Sequence, residues 1–205
     1  MFRRIGMEVG AHQRPGYVRA EQTLTRIDAH LKPAYDVAKI GRMAFGDAPI
    51  SFFSTAVSGV LRATTAGSSN ERVKDSVANA GLAADGIARG LFYSGGLLHG
   101  ALATRMPWLV VARTPPAGFE KIASMLGKFS TVARVGLLGV GGALGALRAA
   151  QAIARHGGPE ALLRTRDGRG GALQALGSAL LIVKHPATYI AGAAVFGLAA
   201  LNELT

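Results

Sequence analysis

No cysteine occurs in the chain, which excludes a disulfide framework, cysteine-ligated zinc and thiol chemistry. Acidic residues are scarce: 12 Asp and Glu stand against 23 Lys and Arg, a formal net charge of +11. Aromatics make up 6% with a single Trp, and no stretch interleaves them with cations as nucleic-acid modules do, so nucleic acid is not an expected partner. Catalytic signatures are lacking as well. Gly139, Gly141, Gly142 and Gly145 imitate a dinucleotide loop, but Leu144 holds the place of the third glycine and no strand precedes them. Gly127-Lys128 is followed by Phe129 where a phosphate loop needs Ser or Thr. No Gly-x-Ser-x-Gly elbow occurs. His12, His30, His99, His156 and His185 are scattered without metal-ligand spacing. The expectation is a non-enzyme with no cofactor, metal or catalytic residue.

What the chain does have is apolar mass. Its 49% hydrophobic content, 28 glycines and mean hydropathy of +0.28 are unusual beside so much positive charge. Apolar blocks joined by basic connectors suit an anionic membrane surface, where each nearby cation contributes about 1 kcal/mol. The last block, Ala172 to Leu201, holds only Lys184 and His185 as potentially charged groups and is split by Pro186. A hydrocarbon core about 30 Å thick needs roughly 20 apolar helical residues. The block is either one helix bent at Pro186 or two short arms.

Taken in order, residues 1–18 read as a flexible basic arm. Two helical halves, 19–113 and 119–205, flank a Pro-rich linker at 114–118 (TPPAG). From Arg19 to Phe45, Leu24, Ile27, Leu31, Ala34 and Ala38 recur at helical steps, and Pro33 bends or restarts the segment. Arg19, Arg26, Lys32, Lys39 and Arg42 then form an interfacial cationic surface. Ser68 with Glu71 has capping-box spacing and starts the next helix, whose face is Val73, Val77, Ala80, Ala84, Ile87 and Leu91. Beyond the linker, Phe119, Ile122, Leu126, Phe129 and Ala133 keep helical spacing with Lys121, Lys128 and Arg134 alongside. Gly157-Gly158-Pro159 ends that helix, and Arg155 to Gly171 is a connector. Gly86 with Gly90, Gly96 with Gly100, Gly141 with Gly145, and Gly192 and Gly197 are candidate helix-packing positions, where a second backbone approaches closely. Asp85, Arg89, His99 and Lys184 are the polar residues nearest apolar blocks, expected to pair between helices.

These readings give an all-α, membrane-associated protein with an amphipathic N-terminal helix and several short Gly/Ala-rich apolar helices. Lipid contact is expected near Ile50 to Leu61, Gly90 to Thr104, Val135 to Leu147 and Ala172 to Leu201. The segment order includes Lys39-Ile40-Gly41-Arg42, Gly90-Leu91-Phe92-Tyr93, a basic-flanked helix near Lys128 and the closing block Tyr189 to Leu201. In that order the chain resembles the peroxin-11 family. The resemblance implies a peroxisomal or glycosomal membrane, elongated by amphipathic helices with self-association and no catalytic residues; the Arg19 to Phe45 helix would be the remodelling element. The alternatives are an accessory subunit of a large membrane complex or a pore-forming effector, and the alternative location is the mitochondrial inner membrane. Partners under these readings are anionic headgroups, other membrane helices or further copies of the chain.

Overall fold

The computed structural model of the protein describes residues 15–44, 49–65, 67–94 and 118–205. Every regular element among them is helical, as the sequence leads one to expect. They are α1 (Pro15–Ala44), α2 (Pro49–Thr65), α3 (Glu71–Tyr93), α4 (Glu120–His156), the single turn α5 (Ala161–Arg164), α6 (Arg166–Ile182) and α7 (Pro186–Leu204).

Local chemistry sets the boundaries. Pro33 neither ends nor restarts α1, which runs on through it. The cap of α3 is Asn70, whose side chain accepts from the Arg72 amide; Ser68, the expected cap, accepts from the Asn70 amide at 3.1 Å instead. Asn and Ser cap equally well, and Asn70 stands nearer the first helical residue. Gly157 closes α4 in the left-handed region (φ 74), which has no Cβ to oppose it, and its amide returns to the Ile153 carbonyl. The stretch expected as a connector up to Gly171 is largely helical. Thr165 caps α6 by accepting from the Gly168 amide at 3.0 Å, so the helix starts at Arg166. The last apolar block is two helices. Val183 to His185 turn the chain, and Pro186 opens α7, where its missing N–H is no loss.

The helix pairs that pack most closely run antiparallel. Along α4 and α6, Gly142 faces Ser178 and Gly145 faces Gly171; along α3 and α7, Gly86 faces Ala193 and Gly90 faces Ile190. Gly41 packs on Leu126 and Gln151 reaches Glu21, which lays α1 along α4. Helices from either side of the 114–118 linker therefore pack on each other: α1 on α4, α3 on α7. One end of the bundle gathers the starts of α1, α3 and α6 with the ends of α4 and α7. The other gathers the starts of α4 and α7 with the ends of α1, α3 and α6. Two small cores lie between, Leu138, Leu181, Tyr189 and Phe196 in one and Tyr35, Ala133 and Leu137 in the other, with Leu82 packed against both.

Candidate membrane-contact surface and buried polar seam

Around the two small apolar cores many buried positions are polar or small, whereas several outward positions are large and apolar. On α3 the buried residues include Ser76, Asn79, Asp85, Gly86 and Gly90, while Ile87 is half exposed. On α1, Lys39 is buried and Val37 and Ile40 are 69% and 54% exposed. On α4, Ser130 and Arg134 face inward at 2% exposure each, and Met125, Phe129 and Val132 face outward at 63%, 53% and 72%. Ile122, Met125, Phe129, Val132 and Val135 form one outward stripe, next to exposed Lys121 and Lys128. By length and composition, α4 and α7 are the two described helices able to cross a membrane. At 1.5 Å per residue α7 is about 28 Å long and α4 about 55 Å.

Inside, α1 and α3 each bring two side chains, one helical turn apart, to a shared ionic lock. The Lys39 ammonium donates to Asp85 Oδ1 at 2.7 Å, and Arg89 Nε donates to Oδ2 at 2.9 Å. Arg89 Nη2 also reaches the Tyr35 hydroxyl at 3.5 Å, and the Lys39 ammonium stands 5.5 Å from the Tyr35 ring centre. Burial by itself would raise the Asp85 pKa. The Arg89 and Lys39 charges outweigh it and hold the carboxyl well below the usual range. Burial likewise would lower Lys39, but Asp85 outweighs it and the ammonium is held above its usual value. Tyr35 is pushed up, by burial first and then by Asp85. All four groups are thus fixed in one charge state at neutral pH, and none is poised to exchange a proton as a general acid or base must be.

A second polar cluster closes the opposite end. Arg148 Nη1 donates to the buried Glu203 carboxylate at 2.7 Å, and Nη2 to Asp167 at 2.9 Å. The Arg148 hydrogen bond is the main cause lowering the Asp167 pKa. Arg169 Nε donates to Asn202 Oδ1, and the Asn202 amide donates to the Arg166 carbonyl. Ser76 donates to the Ala200 carbonyl at 2.9 Å, fastening α3 to α7. Arg134 donates to the Leu181 carbonyl at 3.0 Å, one residue before α6 ends. A cation there meets the negative end of the helix dipole. Beside Arg148, a cleft of about 510 Å³ opens between α1, α3, α4 and α6, walled by Glu21, Asp28, Lys32, Asp75 and Asp167. A smaller cavity of about 40 Å³ shares Asp28, Lys32, Asp75, Arg148 and Gln174 with it and reaches inward to Asn79, Leu82 and Ser178.

Of the cations expected at a membrane surface, Arg19 and Arg26 are exposed. Lys32 is half-buried in the cleft on Asp28 at 2.6 Å. Lys39 is not at the surface at all: the Asp85 carboxylate draws it inside. The Arg42 side chain lies outside the described residues, as do Gly96, Gly100 and His99. Arg134, expected alongside the surface lysines, is buried for the reason just given. Among the helix-packing glycines, a Cβ on Gly86 would lie 2.9 Å from Ala193, Leu181 and the Tyr189 carbonyl. On Gly90 it would lie 2.6 Å from Ile190, on Gly145 2.7 Å from the Gly171 carbonyl, and on Gly192 2.7 Å from Leu181. Gly141 makes only loose contact at 3.8 Å, and Gly197 faces open space. Asp85 pairs across helices with Lys39, while Arg89 pairs with Asp85 within α3 and reaches across only to the Tyr35 hydroxyl; Lys184 is exposed. Sequence reasoning missed Tyr35, Arg148 and Glu203. Glu203 as the carboxylate closing an otherwise apolar helix, and Arg134 and Arg148 fourteen residues apart on one face of α4, were the available signals. No protein-family model matches the chain, and neither a curated protein nor a solved structure was found to be similar to it.

Proposed function

We propose that this protein is a non-catalytic membrane protein whose helical bundle packs against acyl chains and organises the membrane around it. One observation carries the reading: the bundle hides charge and small residues around two small apolar cores while presenting Val37, Ile40, Ile122, Met125, Phe129 and Val132 outward. In water such a face is costly, since each large apolar side chain moved into an apolar medium contributes about 1.5–3 kcal/mol. Lys121, Lys128, Lys184 and His185 lie toward the same end and suit headgroup contact. Wedge-driven remodelling by α1 is less well supported. This helix packs on α4 from Glu21 to Gly41, and its exposed Tyr17, Val18 and Ile27 point in different directions at 100° per residue. Peroxisomal or glycosomal residence rests on segment order alone.

A second reading, a subunit that binds neighbouring helices, is favoured by Gly139, Ala143 and Ala146. They continue the exposed α4 stripe with small residues, and Gly139 has nothing within 4 Å of where a Cβ would stand. Alkaline carbonate extraction of native membranes tests the membrane reading. Full-length protein should stay in the pellet, and placing two carboxylates on the stripe with Met125→Asp and Val132→Asp should release a larger share. Complete release of the wild type, as a detergent-free monodisperse monomer, defeats it. Recovery from mild detergent as a defined complex, with the release caused by Ala143→Phe instead, selects the subunit reading.

A further inference from the structure

The corner where α5 meets α6 carries positive charge that the bundle leaves unmatched. Arg148, Arg155 and Arg166 share the carboxylates of Asp167 and Glu203; Arg148 takes the short contacts, and Arg155 and Arg166 stand off at 3.7 and 4.0 Å. Arg164 and Arg169 are exposed and form no ion pair with a described residue. Arg169 donates only to neutral oxygens, Asn202 Oδ1 at 3.0 Å and the Leu163 carbonyl at 3.3 Å. Glu160, one turn before Arg164, is exposed and forms no ion pair with it. Arg164, Arg166 and Arg169 all stand around the start of α6, where the dipole of a 17-residue helix adds positive potential.

The surroundings of these cations say which anion they suit. Leu163 is 77% exposed, and Leu201 and Leu204 on the last turn of α7 are 60% and 63% exposed. Arg169 bridges the two places, through the Leu163 carbonyl and Asn202, so guanidinium and apolar groups share one outward corner. A soluble phosphate leaves those leucines in water, whereas a lipid offers acyl chain to them and phosphate to the arginines. Between Pro186 and Leu201 α7 carries no charged side chain, and its length of about 28 Å sets the corner roughly one hydrocarbon thickness from Lys184 and His185. We infer that this corner binds the phosphate of an anionic phospholipid headgroup through Arg164 and Arg169, with Arg166 adding its charge beside them. The inference rests on the membrane reading and adds a specific headgroup contact at the end of the bundle opposite Lys121 and Lys128.

Native mass spectrometry of the full-length protein tests it, in mild detergent with phosphatidylcholine and phosphatidylglycerol in equal amounts. Phosphatidylglycerol should be retained in clear excess. Arg164→Gln with Arg169→Gln should cut that excess by roughly tenfold or more, since two cations near the headgroup are lost. Arg164→Lys with Arg169→Lys should keep most of it, and Lys121→Gln with Lys128→Gln, at the other end, should leave it in place. Reading the ratio of the two lipids within each variant removes any effect on folding itself. Equal retention by the wild type, or an excess that survives the glutamine pair, overturns the assignment. So does heat stabilisation by inorganic phosphate alone that depends on the same two arginines, which would make the corner a site for soluble phosphate. Flotation with pure phosphatidylcholine vesicles separates the two claims. Protein that floats but shows no lipid preference defeats this inference only, and protein that stays at the bottom defeats the membrane reading and this inference with it.

Discussion

Replacing Asp85 by Ala should be the most damaging single polar substitution in the bundle, out of proportion to the atoms removed. Both carboxylate oxygens are spoken for, by Lys39 at 2.7 Å and Arg89 at 2.9 Å, and the Asp85 side chain is 7% exposed. The variant leaves two cations facing each other in a desolvated space, with Lys39 itself 6% exposed. Breaking a buried pair from one side costs about 3–5 kcal/mol, whereas replacing the whole group by apolar residues is often neutral or stabilising. For a chain of this length that loss lowers the unfolding midpoint by roughly 6–20 °C. The triple variant Lys39→Met, Asp85→Leu, Arg89→Met should therefore be more stable than Asp85→Ala, although it carries three changes. Circular dichroism melts of wild type, single and triple variants in one detergent decide it. The reasoning is refuted if Asp85→Ala costs less than about 1 kcal/mol, or if the triple variant is worse than the single.

Other outcomes follow from the same geometry. Gly145→Ala puts a methyl group 2.7 Å from the Gly171 carbonyl and 2.8 Å from the Ala175 amide, backbone that cannot step aside, and should cost about 1–3 kcal/mol by chemical denaturation. Gly197→Ala enters open space within a helix and should stabilise by about 0.8–1 kcal/mol in the same assay. Asp85 and Asp167 have lowered pKa values, so their contribution is complete above the ordinary carboxylate range and is lost as pH falls through it and below. Asp75 is shifted upward, chiefly by desolvation against the cleft walls, with Lys32 and Arg148 opposing. Its folded state holds a proton longer, so its share of stability declines as pH rises. Acid-induced unfolding monitored from neutral pH downward should accordingly be steeper in Asp75→Asn than in wild type, and shallower in Asp85→Asn.

The helices were legible in the sequence because their signals are local. Gly157-Gly158-Pro159 stops α4 by backbone chemistry, and the spacing of Leu24, Leu31 and Ala38 needs only the helical period. Which side faces inward was not legible. Period reading assumes that the large apolar residues turn inward, and on α4 that assumption picks Ile122 and Phe129, both exposed, over Ser130 and Arg134, both buried. A two-fold ambiguity of this kind has no local solution, because the choice depends on what surrounds the bundle. The Gly86 and Gly145 contacts were readable as spacing, but not their partners. Gly170 and Gly171 were hidden in a stretch whose arginines suggested a connector, though a Cβ on Gly171 would meet the Gly145 carbonyl at 2.6 Å.

That inversion also constrains how the bundle is held together. In water, exposed Val132 and Met125 contribute nothing to folding, so beyond the two small apolar cores cohesion comes from close backbone approach and from charge pairing inside. The first is present where α4 meets α6 at Gly145 and Gly171, and where α3 meets α7 at Gly86. The second is present at Asp85 near one end and at Glu203 near the other. Both are stronger per contact in a surrounding of low dielectric, where water cannot compete for the same donors. A protein that leaves this many large apolar side chains outside its two small cores should lose its fold sooner in detergent-free buffer than in lipid. If the unfolding midpoint were instead higher without detergent or lipid, the exposed α4 stripe would need a different explanation.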